Sequence, residues 1–276
     1  METMLTDGPF VGSDFTAEDF AAIAAILGEA GGIALDRYNA ACVKRRIAAR
    51  IRDLNLPGAQ PYLEVLHADR AEVQRLSALL SLHVSTFYRD PPTFTALRQI
   101  LQERAQGGAA VQPWRWWSAG CAGGEEAYSL TLLAAQVPEL RSGVEILATD
   151  VGHEILEKAR GGFFNPTHLS HVSAAEQARC FIAEGRGYRI REEFRTMVRF
   201  FHHDLLSATP YPSSELILCR YVLIYFNAAD QELITCRFAE ALPAGGILVL
   251  GRTENLRDKT GLFTPLNAAE RIYQRI

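Results

Sequence analysis

The stretch "RWWSAGCAGGEEAYSL" at 115–130 limits what this chain can fold into more than any other. An aromatic-rich run stops at Ser118. Three glycines follow within five positions (Gly120, Gly123, Gly124), and two adjacent carboxylates, Glu125 and Glu126, open a helical pattern. A strand that turns through glycines straight into a helix belongs to a doubly wound α/β sheet. There the first turn lets the backbone approach a ligand at the strand's carboxyl end.

The C-terminal two thirds keep that alternation. "WRWWSAG", "VEILATD", "VRFFHHDLL", "SELILCRYVLIYF" and "GGILVLGRTENL" are strand candidates, with helical patterns in "EEAYSLTLLAAQVPEL", "GHEILEKARGG" and "DQELITCRFAEAL". Strands this poor in charge predict a parallel sheet covered on both faces. Segment 163–197, with "AEGRGYRIREEF", is polar and breaks the rhythm, as a small insertion would.

The N-terminal part reads as helical. "TAEDFAAIAAILGEAGG" starts at Thr16 as N-cap, with Glu18 and Asp19 in the first turn, and should close at Gly31-Gly32. In "LDRYNAACVKRRIAARIRDLNLPG" the apolar positions Val43, Ile47, Ile51 and Leu54 form a helical stripe, with Pro57-Gly58 as its stop. "PYLEVLHADRAEVQRLSALLSL" adds one or two helices, and the helical domain should end near 85–92.

The acids after the glycine loop narrow the ligand. Helix N-termini attract anions, so a pyrophosphate would meet repulsion from Glu125 and Glu126, whereas an ammonium or sulfonium would not. Asp150 ends the second strand, where an acid usually takes ribose hydroxyls. First-turn acids also match the helix dipole, and a strand-terminal Asp also serves as an N-cap. G-C-A-G-G is not G-x-G-x-x-G, so the loop alone says little. The combination favours a nucleoside with a positive tail, S-adenosylmethionine, over a dinucleotide and over a dehydrogenase.

The runs "RWWSAGCAGGEEAYSLTLL", "ILATDVGHEILEKARGGFF", "LILCRYVLIYF" and "PAGGILVLGRTENL", in this order, resemble the CheR family of chemotaxis receptor glutamate methyltransferases. "LHVSTFYRDPPTF" is similar to the family's N-x-T-x-F-F-R-D segment. The resemblance implies a helical N-terminal domain at 1–85 that docks the receptor. It implies a Rossmann-like class I methyltransferase domain at 86–276, with a small inserted β-subdomain at about 163–197. It places Arg89 at the cofactor's carboxylate end, Glu125 or Glu126 as the acidic ligand and Asp150 on the ribose. Gly120, Leu205 and Arg220 join the cofactor set. Arg89 and Tyr225 are the catalytic candidates, the Tyr225 ring favouring a sulfonium by about 0.5–2 kcal/mol. Four cofactor positions differ from the family pattern: His83 for Asn, Ser85 for Thr, Asp204 for Asn and Tyr221 for Asn. Ser85 keeps the hydroxyl, Asp204 loses an amide donor, and Tyr221 loses a short donor near the adenosine. Each lost contact weakens binding by about 0.5–1.5 kcal/mol. A CheR-like chain with a weakened cofactor site would be a binding or regulatory module instead. A different protein carboxylate in a chemosensory-like pathway is a further alternative.

The implied reaction is methyl transfer to a glutamate carboxylate. That group is already ionised at neutral pH, so no general base is needed and orientation does the work. An acidic substrate calls for cations, and the second helix carries Lys44, Arg45, Arg46, Arg50 and Arg52. Lys44, Arg46 and Arg50 are the candidates for docking the receptor's methylation helices, although such a run is also the ordinary make-up of a solvated helix face. His202-His203 reads as a strand end with one side chain exposed, and no metal is expected. The 276 residues carry a net charge of −4, which argues against a general nucleic-acid binder. No apolar run suits a membrane span, and five scattered cysteines fit reduced thiols. A cytoplasmic monomer is expected.

Overall fold

Thr16 opens the first helix through a reciprocal cap. Its hydroxyl accepts the Asp19 amide at 3.0 Å, while the Asp19 carboxylate accepts the Thr16 amide at 3.3 Å. The computed structural model describes residues 10–29, 35, 40–80, 85–106, 114–140 and 143–276, so the stop expected at Gly31-Gly32 lies outside them. The chain divides into two units: Met1–Leu82 with Ile224–Asn227, and His83–Leu223 with Ala228–Ile276.

The first unit holds α1 (Ala17–Glu29), α2 (Ala40–Asp53), α3 (Ala59–Ala68) and α4 (Arg70–Leu80). The stripe of α2 faces inward: Val43, Ile47 and Ile51 are buried with Ile23, Leu27, Tyr62 and Leu76. The helix stops before Pro57-Gly58. Asn55 adopts φ 55°, its amide reaches the Arg52 carbonyl at 2.8 Å and the Leu56 amide reaches Ile51 at 3.0 Å. This left-handed cap satisfies the last carbonyls.

The second unit begins with a helix the sequence patterns above do not include, α5 (Pro91–Gln106). Two prolines occupy its first turn, where no amide is needed, and Thr93, Phe94, Leu97 and Leu101 form its buried face. Then follow β1 (Trp114–Ala119), α6 (Glu125–Gln136), β2 (Val144–Asp150), α7 (His153–Gly161) and β3 (Phe163–Phe164). Next come α8 (Ala174–Cys180), β4 (Phe181–Glu184), β5 (Gly187–Ile190), α9 (Glu192–Arg195) and β6 (Val198–His202). The chain closes with β7 (Leu216–Cys219), α10 (Ala228–Ala241), β8 (Ile247–Leu250), β9 (Phe263–Asn267) and β10 (Ile272–Arg275).

Seven strands form one sheet in the order β6-β2-β1-β7-β8-β10-β9. The first five run parallel, but β10 is antiparallel to both β8 and β9. The expectation of a wholly parallel sheet is corrected at this edge. A lone edge strand with exposed Thr264, Pro265 and Leu266 has no uncharged run to announce it. "SELILCRYVLIYF" is likewise a strand only over Leu216–Cys219, because Tyr221 at φ 60° breaks it and a 3-10 turn follows at Leu223–Tyr225. Within 163–190, β3, β5 and β4 form a separate antiparallel sheet. Trp116 and Trp117 sit fully buried in β1. Among the described residues no helix is long and apolar enough to cross a membrane.

Candidate functional site

Strand order reverses beside β1: the chain winds outward through β2 and β6, then starts again at β7 on the other side. In an open α/β sheet the crevice at such a reversal, outside the carboxyl ends, is where ligands bind. Gly120 directly follows β1 and Arg220 directly follows β7, so the predicted residues converge there.

Gly120 takes φ 81°, and a Cβ on it would collide with Val222 Cγ2. Gly124 caps α6 at φ 91°. A Gly120→Ala variant is expected to lose about 2 kcal/mol or more in urea unfolding, from left-handed strain plus overpacking. Wild-type stability in that variant would show the close approach to be dispensable.

Asp150 is buried at the end of β2 and shapes the loop. Its Oδ2 accepts the Ala122 amide at 3.0 Å and its Oδ1 the Gly152 amide at 3.0 Å. Ala122 itself has φ 50°. Burial pushes the neighbouring Cys121 thiol well above its ordinary range.

The two glutamates have different surroundings. Glu126 Oε1 accepts the Ser118 hydroxyl at 2.7 Å, and Arg220 Nη1 stands 3.5 Å from its Oε2. Burial raises the Glu126 carboxyl. Glu125 is 3 % exposed. Its Oε1 lies 3.1 Å from His168 Nδ1, an approach that raises the imidazole's pKa, and its Oε2 is buried without a protein partner.

Arg220 ties the loops together. Its side chain is 1 % exposed. Nη2 donates to the Arg89 carbonyl and to Asp90 Oδ2, both at 2.7 Å, while Nε is buried without a protein partner. Tyr221 follows at φ 60°, a conformation that costs a bulky residue about 1–3 kcal/mol. Its amide donates to Glu254 Oε2 at 2.7 Å and its hydroxyl to Asp90 Oδ2 at 2.5 Å. The Arg89 guanidinium carbon lies 3.6 Å from the centre of its ring.

Asp204 keeps a turn role after β6, its Oδ1 accepting the Leu206 amide at 2.8 Å. Leu205 is buried. Its carbonyl accepts the Tyr211 hydroxyl at 2.7 Å and Arg237 Nη1 at 3.0 Å. Ser85 is half-buried. His83 lies outside the described residues.

Tyr225 belongs to the first unit. Arg46 Nη2 donates to its hydroxyl at 2.7 Å, Arg46 Nη1 donates to the Leu80 carbonyl at 2.9 Å, and the Arg46 guanidinium carbon is 4.9 Å from the tyrosine ring. Lys44 Nζ lies 5.1 Å from the Phe20 ring, and Arg45 is exposed. Arg50, the third docking candidate, is engaged within the helical unit. Its Nε and Nη2 grip both oxygens of buried Glu72 at 2.8 and 2.7 Å, so these two donors are occupied inside the helical unit. His202 is exposed and stacks on His153 at 4.4 Å. His203 is buried, and burial lowers its pKa. Among the described residues no three side chains group as metal ligands.

Asp90, Ser118, His168 and Glu254 escaped the sequence-level reasoning. Asp90 and Glu254 lie inside the quoted "FYRDPPTF" and "GRTENL" runs, but nothing in their spacing marks them as partners of Arg220 and Tyr221.

The donor set fits S-adenosylmethionine. Glu125 Oε2 is an unpartnered buried acceptor and Arg220 Nε an unpartnered buried donor, which suits a ligand carrying both an ammonium and a carboxylate. Asp150 adds a buried acid at the strand end that suits ribose hydroxyls.

Comparison with known families settles the affiliation. The family model described as CheR methyltransferase, SAM binding domain, matches residues 83–272, and the one described as CheR methyltransferase, all-alpha domain, matches 18–81. The chain belongs to the CheR methyltransferase family. A chemotaxis protein methyltransferase of Listeria monocytogenes is 32% identical over 82% of this chain and 85% of its own length. One from Salmonella typhimurium is 31% identical over 89% and 86%. An uncharacterized 104.1 kDa protein of Rhodobacter capsulatus is 36% identical over 94% of this chain, which spans only 28% of that relative. The CheR affiliation makes the glycine-loop unit an S-adenosylmethionine-binding methyltransferase domain.

Proposed function

We propose that this protein methylates glutamate carboxylates on cytoplasmic helices of chemoreceptors, giving glutamyl methyl esters. The observation that carries the proposal is the acid-rich glycine loop at the sheet's reversal, in a chain of the CheR family. Asp150 takes the ribose hydroxyls, Glu125, whose Oε2 is unpartnered, is the acid that faces the ammonium, and Arg89 receives the carboxylate together with the orphan Nε of Arg220. Gly120, Ser85, Asp204, Leu205, Arg220 and Tyr221 complete the cofactor set. The bound cofactor supplies an electrophilic methyl group on sulfur. The substrate carboxylate arrives ionised, so the protein's tasks are to align it and to exclude water. No side chain has to remove a proton.

The test uses S-adenosylmethionine labelled in the methyl group, with receptor cytoplasmic fragments as acceptor. Label that alkali releases as methanol is the expected result; absent or alkali-stable label would overturn the proposal. For docking, Lys44→Glu with Arg45→Glu is expected to lower labelling about tenfold while S-adenosylhomocysteine affinity, read calorimetrically, stays the same. A parallel fall in both would remove docking from this helix.

A further inference from the structure

Among the described residues of the second unit five non-glycine residues have positive φ, and three of them adjoin Arg89. Tyr88 (φ 51°) and Asp90 (φ 58°) flank Arg89 in sequence, and Tyr221 (φ 60°) lies against it. Strain of this kind persists where neighbours over-determine it, and it gathers at functional sites. The neighbours here are explicit. The Tyr88 amide donates to Ser129 Oγ at 2.9 Å and its hydroxyl to Glu176 Oε1 at 2.7 Å. Asp90 Oδ2 accepts from both Arg220 and Tyr221, and Glu254 holds the Tyr221 amide.

We propose that Tyr221 is a positioning residue for Arg89, presenting its guanidinium to the carboxylate of the cofactor's amino-acid tail. This makes Tyr221 a determinant of selectivity for cofactors that carry that tail. The inference rests on the assignment of Arg89 made above. Its physical basis is the shape of the guanidinium. Stacking on a ring engages the face of the fork, whereas all five N–H donors lie in its plane, the plane a carboxylate approaches. A ring 3.6 Å away therefore fixes orientation without competing for donors. The Tyr221 hydroxyl then anchors the ring to Asp90, the residue next to Arg89, and Arg220 clamps the same stretch through the Arg89 carbonyl. Asparagine at 221 would ease the φ strain, because it tolerates the left-handed region, but would supply neither the stacking face nor the anchor.

The experiment compares two ligands by calorimetry on the full chain: S-adenosylhomocysteine and 5′-methylthioadenosine, which lacks the amino-acid tail. The variants are Arg89→Ala, Tyr221→Phe and Tyr221→Asn. In Tyr221→Asn the affinity ratio between the two ligands is expected to fall about tenfold; any contact the asparagine amide makes to the adenosine is common to both ligands and cancels in that ratio. Tyr221→Phe, which keeps the ring and guards against a folding defect in the Asn variant, should lower the ratio about threefold. Equal weakening of both ligands, or an unchanged ratio in both Tyr221 variants while Arg89→Ala lowers it, overturns the positioning role and leaves the site assignment standing. An unchanged ratio in Arg89→Ala overturns the assignment of Arg89 and the inference with it. So does a folded wild-type chain that binds no S-adenosylhomocysteine.

Discussion

Replacing Asp150 by alanine is expected to weaken S-adenosylhomocysteine binding about 100-fold or more. The carboxylate does two jobs with the same two oxygens. It accepts the Ala122 and Gly152 amides, so it holds the glycine loop on one side and the start of α7 on the other. It is also the acid assigned to the ribose. A hydrogen bond to a charged group contributes about 1.5–3 kcal/mol, so losing two releases the loop even before the ribose contact is counted. About 3 kcal/mol is about 100-fold in affinity. Ala122 at φ 50° has no reason to keep that conformation once its amide partner is gone. The second unit should consequently melt several degrees lower. Asp150→Asn separates the two jobs. The amide oxygen can still accept one backbone N–H, but its NH₂ group faces the other, so part of the stability loss returns with the charge gone. Calorimetric titration of both variants, with thermal unfolding alongside, checks this. Near-wild-type affinity in the alanine variant would remove Asp150 from the cofactor set.

The same residue marks how far the sequence could be read. The order strand, glycine loop, acidic helix and strand-terminal Asp was visible because each part has a local signature: period, turn residue, dipole-matched charge. The parallel strands were visible because burial on both faces leaves uncharged runs. The antiparallel edge formed by β9 and β10 was not, since an edge strand alternates weakly and carries polar residues. Tyr221 shows the other limit. Its type suggests a lost amide donor, but only the fold places its ring against Arg89 and its hydroxyl on Asp90, 131 positions away in sequence. Arg50 shows a related limit. A cation four residues from Arg46 reads as a shared basic face, and the sequence does not reveal that Glu72 waits inside.

That buried pair carries the second large effect. Arg50→Ala is expected to destabilise the helical unit by about 3–5 kcal/mol, because removing one partner leaves the other's charge uncompensated. Glu72 is 1 % exposed. Besides Arg50, its oxygens accept Arg75 Nε at 2.7 Å and the Tyr62 hydroxyl at 3.0 Å. Arg75 is half-exposed and offsets part of the loss, which favours the lower end of the range. Above all the Arg50 hydrogen bonds hold the Glu72 carboxyl at about 2, against an ordinary 4.5. A carboxylate depressed in the folded state stabilises the fold above its unfolded pKa. That contribution is therefore complete above pH 4.5 and fades as pH falls from 4.5 towards 2. It amounts to about 3 kcal/mol at about 1.4 kcal/mol for each pH unit between the two values. In Arg50→Ala the acid-side slope over that window should flatten. The three tryptophans all lie in β1, so their fluorescence reports on the second unit, and hydrogen exchange of α2 and α4 amides is the readout for the first. Unchanged exchange in Arg50→Ala would show the pair to be dispensable. Arg50→Glu is harsher still, since it sets a second carboxylate against Glu72. A charge reversal there would abolish receptor methylation by unfolding the helices, whatever touches the receptor. Among the described residues Lys44 and Arg45 have no such buried partner, so reversing them tests docking without breaking the unit that presents it.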